Sequence, residues 1–235
     1  MTELDSWGLF SKRWSAYEKV LKHNHMFHNE IYSDIKGYIN KRKLNEPITI
    51  LEPGCGDASQ TIKLFKNIDV ARYCGIDLSA FALNIAKDNL ISLSSNIKLE
   101  CVDMLVGMSS IDTMFDVVFT SYAIHHLSTE GKRQFFSLAA DKLKDDGMLI
   151  YIDVMKENDE QDRKSYIKSY LGHVNQYWGG LEQDEVKFIN EHISNYDFPE
   201  CAEVNIQLAE NSGFKNFIKL SRHTWHQAII FTKQA

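Results

Sequence analysis

Glu52 and Asp57 flank a pair of glycines in Ile50-Leu51-Glu52-Pro53-Gly54-Cys55-Gly56-Asp57, and a further acid, Asp77, follows about 20 residues on in Gly75-Ile76-Asp77-Leu78. Gly54 and Gly56 let the backbone turn sharply and approach a ligand closely. An acid at that spacing is placed to accept hydrogen bonds from a ribose diol. A pyrophosphate would need N–H donors and positive potential. Two carboxylates at the turn suit instead a ligand with positive groups, such as an ammonium and a sulfonium. A second group, Tyr122-Ala123-Ile124-His125-His126-Leu127, carries two imidazoles, which titrate near neutrality and can move a proton.

Strands and turns must deliver these residues. Apolar runs at 48–52, 72–77, 97–103, 115–121 and 148–154 read as strands, and their apolar centres suit a parallel sheet covered on both faces. Helices are predicted over 58–67, 80–90 and 129–143, the last two capped by Ser79 and Ser128. The alternation implies right-handed βαβ units in a doubly wound α/β sheet. Ahead of it, residues 2–42 read as helical. Trp7, Phe10, Trp14, Tyr17 and Leu21 share one face, a stripe continued by His28, Ile31, Ile35 and Tyr38, and Asn45-Glu46-Pro47 ends it. Residues 156–198 form a polar segment dotted with aromatics, read as a helical insertion. A helix over 200–211 stopped by Gly213 follows, then strands over 214–220 and 225–232.

From about Ile48 to Met155 the chain resembles the class I S-adenosylmethionine-dependent methyltransferases of small-molecule type, whose first motif reads roughly Glu/Asp-x-Gly-x-Gly. The resemblance implies a Rossmann-like seven-stranded sheet of order 3-2-1-4-5-7-6, its last two strands an antiparallel hairpin. It implies one domain. Residues 1–46 are an N-terminal helical lid and 47–155 the cofactor-binding core; 156–198 are a helical insertion above the pocket, and 199–235 a helix plus the hairpin. It implies S-adenosylmethionine as cofactor, with Glu52 at its amino acid part and the backbone of Gly54, Cys55 and Gly56 against it. Asp77 would accept both ribose hydroxyls, and Leu78 would pack on adenine. Asp103 would accept the adenine amino group near the Met104 amide, and Thr120 and Ser121 would bound the methionine arm.

The reaction implied is methyl transfer to nitrogen or oxygen of a small organic acceptor by in-line displacement, in which positioning supplies much of the acceleration. A base is needed only where the acceptor arrives protonated, and His125 and His126 are the candidates. His28 and Asn24 interrupt the N-terminal apolar face, where a bound acceptor would partner them. Tyr17 and Trp14 could wall off the methyl group, an aromatic face also favouring a sulfonium. Tyr170, His173, Tyr177 and Trp178 are lid candidates. His23, His25 and His28 raise a metal site, but no paired carboxylate or cysteine completes one, and none is expected.

The net charge of −6 argues against a nucleic-acid partner held by electrostatics. No run is long enough to span a bilayer. The four cysteines show no C-x-x-C pair, so free thiols in a reducing cytosol are expected. The expectation is a cytoplasmic monomer or homodimer. Two other readings share the turn. A nicotinamide oxidoreductase of Rossmann type would want a third glycine where Ser59 or Gln60 stands. A non-catalytic S-adenosylmethionine-binding scaffold would keep the acids without turnover.

Overall fold

The computed structural model describes residues 15–44, 47–94 and 96–234. Seven strands form one sheet: β1 (Ile48–Pro53), β2 (Val70–Asp77), β3 (Ile97–Cys101), β4 (Phe115–Ser121), β5 (Leu143–Val154), β6 (Asn216–His223) and β7 (His226–Thr232). Their order is β3-β2-β1-β4-β5-β7-β6, with β7 antiparallel to both β5 and β6 and the other pairs parallel. The predicted architecture is therefore present. β5 starts five residues ahead of the predicted strand, where Leu143 pairs with Phe115.

Side-chain alternation sorts the apolar residues onto two faces. Leu51, Val118, Leu149, Tyr151, Ile229 and Phe231 point to one core, closed by α5 (Met104–Ser109), α6 (Thr129–Lys142) and α9 (Ala202–Asn211). Ile50, Val117, Phe119, Ile150, Ile152 and Ile230 point to the other, closed by α2 (His28–Arg42), α3 (Ser59–Phe65) and α4 (Ala80–Asn89). Ser79 and Ser128 cap α4 and α6 as expected, accepting from the amides of Ala82 and Gly131.

The N-terminal stripe differs from its prediction. Trp7, Phe10 and Trp14 lie outside the described residues. Residues 15–22 are helical (α1), and the chain then turns before α2 instead of continuing as one helix. Asn24 and Phe27 adopt left-handed conformations, and the Asn24 carboxamide accepts from the Asn29 amide while donating to Glu30. Asparagine tolerates this conformation and satisfies a free amide at a helix start. Asn24 is thus a turn residue, not an inward-facing partner for an acceptor. Ile31, Ile35 and Ile39 carry the buried face of α2.

The insertion is helical, with α7 (Arg163–Tyr177) and α8 (Gln183–Tyr196) following β5. Tyr166, Tyr170, Val174, Trp178 and Ile193 build a third apolar cluster with Val20 of α1 and Val154 of β5. α1 is also tied to α8 through Lys19 and Ser15, both bonded to Glu185.

Candidate active site

The carboxyl ends of β1, β2 and β4 open into a cleft of about 550 Å³. The turn after β1 is knitted to β2, because the amides of Gly54 and Cys55 both donate to the Ile76 carbonyl, at 2.8 and 3.1 Å. Gly54 has φ +73°, and a Cβ there would stand 2.4 Å from the Ala123 Cβ, so only glycine fits. Asp77 closes the turn, its two carboxylate oxygens each accepting a 2.8 Å hydrogen bond, from the Gly56 and Ser79 amides.

Four carboxylates, those of Glu52, Asp57, Asp77 and Asp103, line this cleft, and among the described residues no lysine or arginine does. Glu52 is buried, and its carboxylate accepts from the hydroxyls of Tyr73 at 2.6 Å and Thr61 at 2.7 Å. Burial pushes its pKa up to about 8 against these two hydrogen bonds, aided by Asp57 and Asp77. Asp103 caps α5 by accepting from the amides of Leu105 and Val106 and also faces the cleft. Leu78 stands at the rim with 72% of its surface exposed, an apolar shelf for a flat ligand.

Behind the cleft lies a second chamber of about 240 Å³, walled by Val20, Met26, Val154, Tyr170, Trp178, Phe188, Ile189 and Ile193. Tyr17, Tyr122 and His126 line both spaces and mark where they meet. Tyr122 follows β4 with φ +54°, an uncommon conformation for a bulky residue. It is held by its amide to the Ile152 carbonyl and by its hydroxyl to the Met26 carbonyl.

One end of the chamber is polar. Nδ1 of His125 lies 2.5 Å from Asp153 Oδ1, and the His125 amide donates to the other Asp153 oxygen. Nε2 of His125 lies 3.6 Å from Oδ1 of Asp197, which is buried and has no hydrogen-bond partner among the described residues. Burial disfavours the charged imidazole, but Asp153 and Asp197 outweigh it and the His125 pKa is raised. Burial pushes Asp197 up to about 6. His126 bonds the Tyr196 carbonyl through Nδ1 at 3.1 Å. A carbonyl only accepts, so that nitrogen carries the proton and Nε2 the lone pair. Burial, followed by the neighbouring His125, holds the His126 pKa down.

A family profile described as a methyltransferase domain matches residues 50–147. The chain is 27% identical over 179 residues to a carboxy-S-adenosyl-L-methionine synthase of Helicobacter pylori strain HPAG1, covering 75% of this chain and 72% of that one. It is 25% identical over 213 residues to an uncharacterized methyltransferase, YrrT, of Halobacillus halophilus, covering 80% and 92%. The matched span is a methyltransferase domain, and the chain is similar to S-adenosylmethionine-dependent enzymes.

Solved structures agree on the fold. A magnesium protoporphyrin IX methyltransferase of Synechocystis PCC 6803 superposes with a TM-score of 0.58 at 12% identity, covering 91% of this chain and 82% of that one. A proposed O-methyltransferase of Nostoc punctiforme PCC 73102 gives 0.60 at 18% identity. This chain spans 56% of that second one, a little over half its length.

Of the predicted cofactor residues, Glu52, Gly54, Cys55, Gly56, Asp77, Leu78, Asp103, Met104 and Ser121 all line the cleft. Thr120 does not. It is fully buried in β4 with its hydroxyl donating to the Pro53 carbonyl, because strand alternation turns it away from the side on which Ser121 faces out. Ser121 accepts from the Tyr32 hydroxyl at 2.8 Å.

Among the catalytic candidates, Tyr17, His125 and His126 reach the two cavities, and His28 reaches neither. His28 is packed against the rings of Tyr32 and Tyr122, and burial lowers its pKa to about 4. The Tyr17 hydroxyl is kept protonated, its pKa raised by desolvation and by Asp57, Glu52 and Asp77. Of the lid candidates, Tyr170 and Trp178 wall the chamber, while His173 and Tyr177 pack on each other outside it. His25 stacks on Trp178 and His23 on His25, an aromatic seam away from His28.

Sequence reasoning missed Asp153 and Asp197. The first had a signal, an acid inside the apolar run of β5, where a buried charge demands a partner. The apolar pair Phe188 and Ile189 with Ile193, at helical spacing on α8, marked the wall in the same way.

Proposed function

We propose that this protein transfers the methyl group of S-adenosylmethionine to nitrogen or oxygen of a small organic acceptor. The observation that carries the reading is the cleft of four carboxylates joined through Tyr17, Tyr122 and His126 to an apolar chamber. When bound, S-adenosylmethionine supplies a methyl carbon already attached to a good leaving group. Glu52 and Asp57 offer negative charge for its ammonium and sulfonium, Asp77 its free lone pairs for the ribose hydroxyls, and Leu78 and Met104 an apolar seat for adenine. Tyr17 and Tyr122 line the junction, where an aromatic ring favours a cation. The neutral His126, its lone pair on Nε2, lines the junction between the two spaces.

The test is calorimetry with S-adenosylmethionine and with S-adenosylhomocysteine, followed by release of the latter on incubation with a metabolite extract. Absence of heat and of competition between the two would refute the reading. Binding without release would leave the scaffold alternative standing, and NADH fluorescence on mixing would favour the oxidoreductase. Asp77→Ala is expected to weaken cofactor binding about 100-fold, since it removes charged acceptors from the ribose and from the Gly56 amide. Unchanged affinity would take Asp77 out of the site.

The relatives named carboxy-S-adenosyl-L-methionine synthase suggest a second reading, in which the cofactor itself is the molecule modified. An added carboxylate would need a cation near the sulfonium. No described lysine or arginine lines either cavity, which favours methyl transfer. The mass of the nucleoside recovered after turnover separates the two. We further expect a cytoplasmic protein, monomeric or homodimeric. Among the described residues no helix is long and apolar enough to cross a membrane.

A further inference from the structure

We propose that the acceptor is an apolar compound bearing a hydroxyl, which docks between His125 Nε2 and Asp197 Oδ1 and is methylated on that oxygen. The inference rests on the methyltransferase reading above and names its substrate class. Apolar walls receive the body of the acceptor: Val154 from β5, Tyr170 from α7, Trp178 beyond it, and Phe188, Ile189 and Ile193 from α8. At about 240 Å³ the chamber holds one or two fused rings or a short chain, not a polymer.

The polar end selects the functional group. Among the described residues Asp197 Oδ1 is buried without a hydrogen-bond partner, a costly condition that a donor from the acceptor relieves. His125 faces it from 3.6 Å. Nδ1 of His125 is engaged by Asp153 and Nε2 faces Asp197, so the ring lies between two carboxylates that favour its doubly protonated form, with a proton on Nε2. A group seated about 2.8 Å from both atoms must accept from one and donate to the other. A hydroxyl does both. A protonated alkylamine cannot accept from the imidazolium, a neutral arylamine accepts only weakly because its lone pair is delocalised into the ring, and an ether cannot donate to the carboxylate. His126, which lines both cavities, lies 3.6 Å from the same Asp197 oxygen, so this polar end adjoins the cofactor cleft.

The step balances. The acceptor oxygen forms a bond to the methyl carbon, and the carbon–sulfur bond breaks with its electron pair going to sulfur. The hydroxyl proton passes to the Asp197 carboxylate, and the His125 imidazolium stabilises the negative charge that develops on oxygen. The products are a methyl ether and the neutral thioether nucleoside. Burial brings Asp197 close to the range useful for a base at neutral pH. The charged groups that set its titration are His125 and Asp153 beneath it, Arg163 from α7 and Lys132 from α6.

The test uses the full chain saturated with S-adenosylhomocysteine and three probe sets: 2-naphthol, 4-phenylphenol and 1-octanol, each beside its amine and its methyl ether. Quenching of tryptophan fluorescence reads binding, and release of S-adenosylhomocysteine from S-adenosylmethionine reads turnover in a separate run. We expect each hydroxyl probe to bind at least tenfold more tightly than its amine or ether. Asp197→Asn should lower kcat about 100-fold or more, change S-adenosylhomocysteine affinity less than threefold, and abolish the acid limb of the wild-type pH profile near 6. Equal or stronger binding of the amines, no binding of any hydroxyl probe, or an Asp197→Asn enzyme with the wild-type profile would overturn the proposal. So would stoichiometric zinc in the purified protein, held by the His125, His126 and Asp197 donors. Failure to bind S-adenosylhomocysteine at all would instead overturn the methyltransferase reading.

Discussion

The carboxylate-lined cleft and the apolar chamber meet at Tyr17, Tyr122 and His126, yet they are built by different means. The cleft is made by backbone. Its shape follows from a glycine turn at the end of β1, from amides bonded to Asp77 and the Ile76 carbonyl, and from strand ends fixed by sheet pairing. The chamber is made by side chains drawn from α1, from the loop after β4, from β5 and from the inserted helices. A backbone-built site tolerates little change and suits a ligand that does not vary. A side-chain-built site can be re-cut residue by residue, which suits an acceptor that distinguishes one enzyme from another.

Gly54→Ala attacks the cleft where backbone alone decides its shape. The new Cβ meets Ala123 at 2.4 Å, and the φ of +73° is unfavourable for alanine. We expect a loss of about 4 kcal/mol, combining left-handed strain with overpacking. It should appear as a lower urea midpoint at unchanged slope, with cofactor binding lost. A stable variant with intact binding would show that the turn is softer than a backbone-built site requires.

Trp178→Ala probes the chamber. The indole is nearly buried, stacked on His25 with ring centroids 5.2 Å apart and edge-on to Tyr170. Its removal should cost about 3 kcal/mol, as for large aromatic truncations. Because the cluster it belongs to lies apart from the two sheet cores, the loss should be confined to faster amide exchange in α7 and α8. Affinity for S-adenosylhomocysteine should change less than threefold. A comparable loss of cofactor affinity would mean that the two cavities are one cooperative unit.

The same division explains what the sequence disclosed. Gly54, Gly56 and Asp77 sit at fixed chain spacing because a turn and a crossover set it, so the cleft was legible from one short stretch. Thr120 was misplaced by a single position, since neighbouring residues of a strand face opposite ways. His28 and Asn24 were misread because a smooth apolar stripe concealed a turn that two left-handed residues create. Asp153 and Asp197 are 44 positions apart and meet only once α8 returns over β5, a long-range packing event with no local spacing to announce it. The identity of the acceptor belongs to that second kind of information.

Two buried acids sharpen the contrast, because burial raises the pKa of both but only one is satisfied. Glu52 accepts from Thr61 and Tyr73, whereas one oxygen of Asp197 has no hydrogen-bond partner among the described residues. For Glu52 the folded-state pKa of about 8 lies above that of the unfolded chain, so the folded protein binds the extra proton. Stability from this group is therefore fully present below about pH 4.5 and is lost as pH rises towards about 8, with a slope of at most about 1.4 kcal/mol per pH unit. Thermal melts of the ligand-free protein should show melting temperature falling across that window. Glu52→Gln should flatten the fall, because the amide cannot ionise while its oxygen still accepts from Tyr73. A ligand carrying positive charge pairs with ionised Glu52 and pulls its pKa back down, so saturation with S-adenosylmethionine should also flatten it. A melt that keeps its full pH slope with the cofactor bound would place Glu52 out of reach of the cationic groups, in the scaffold of the cleft and not in its binding surface.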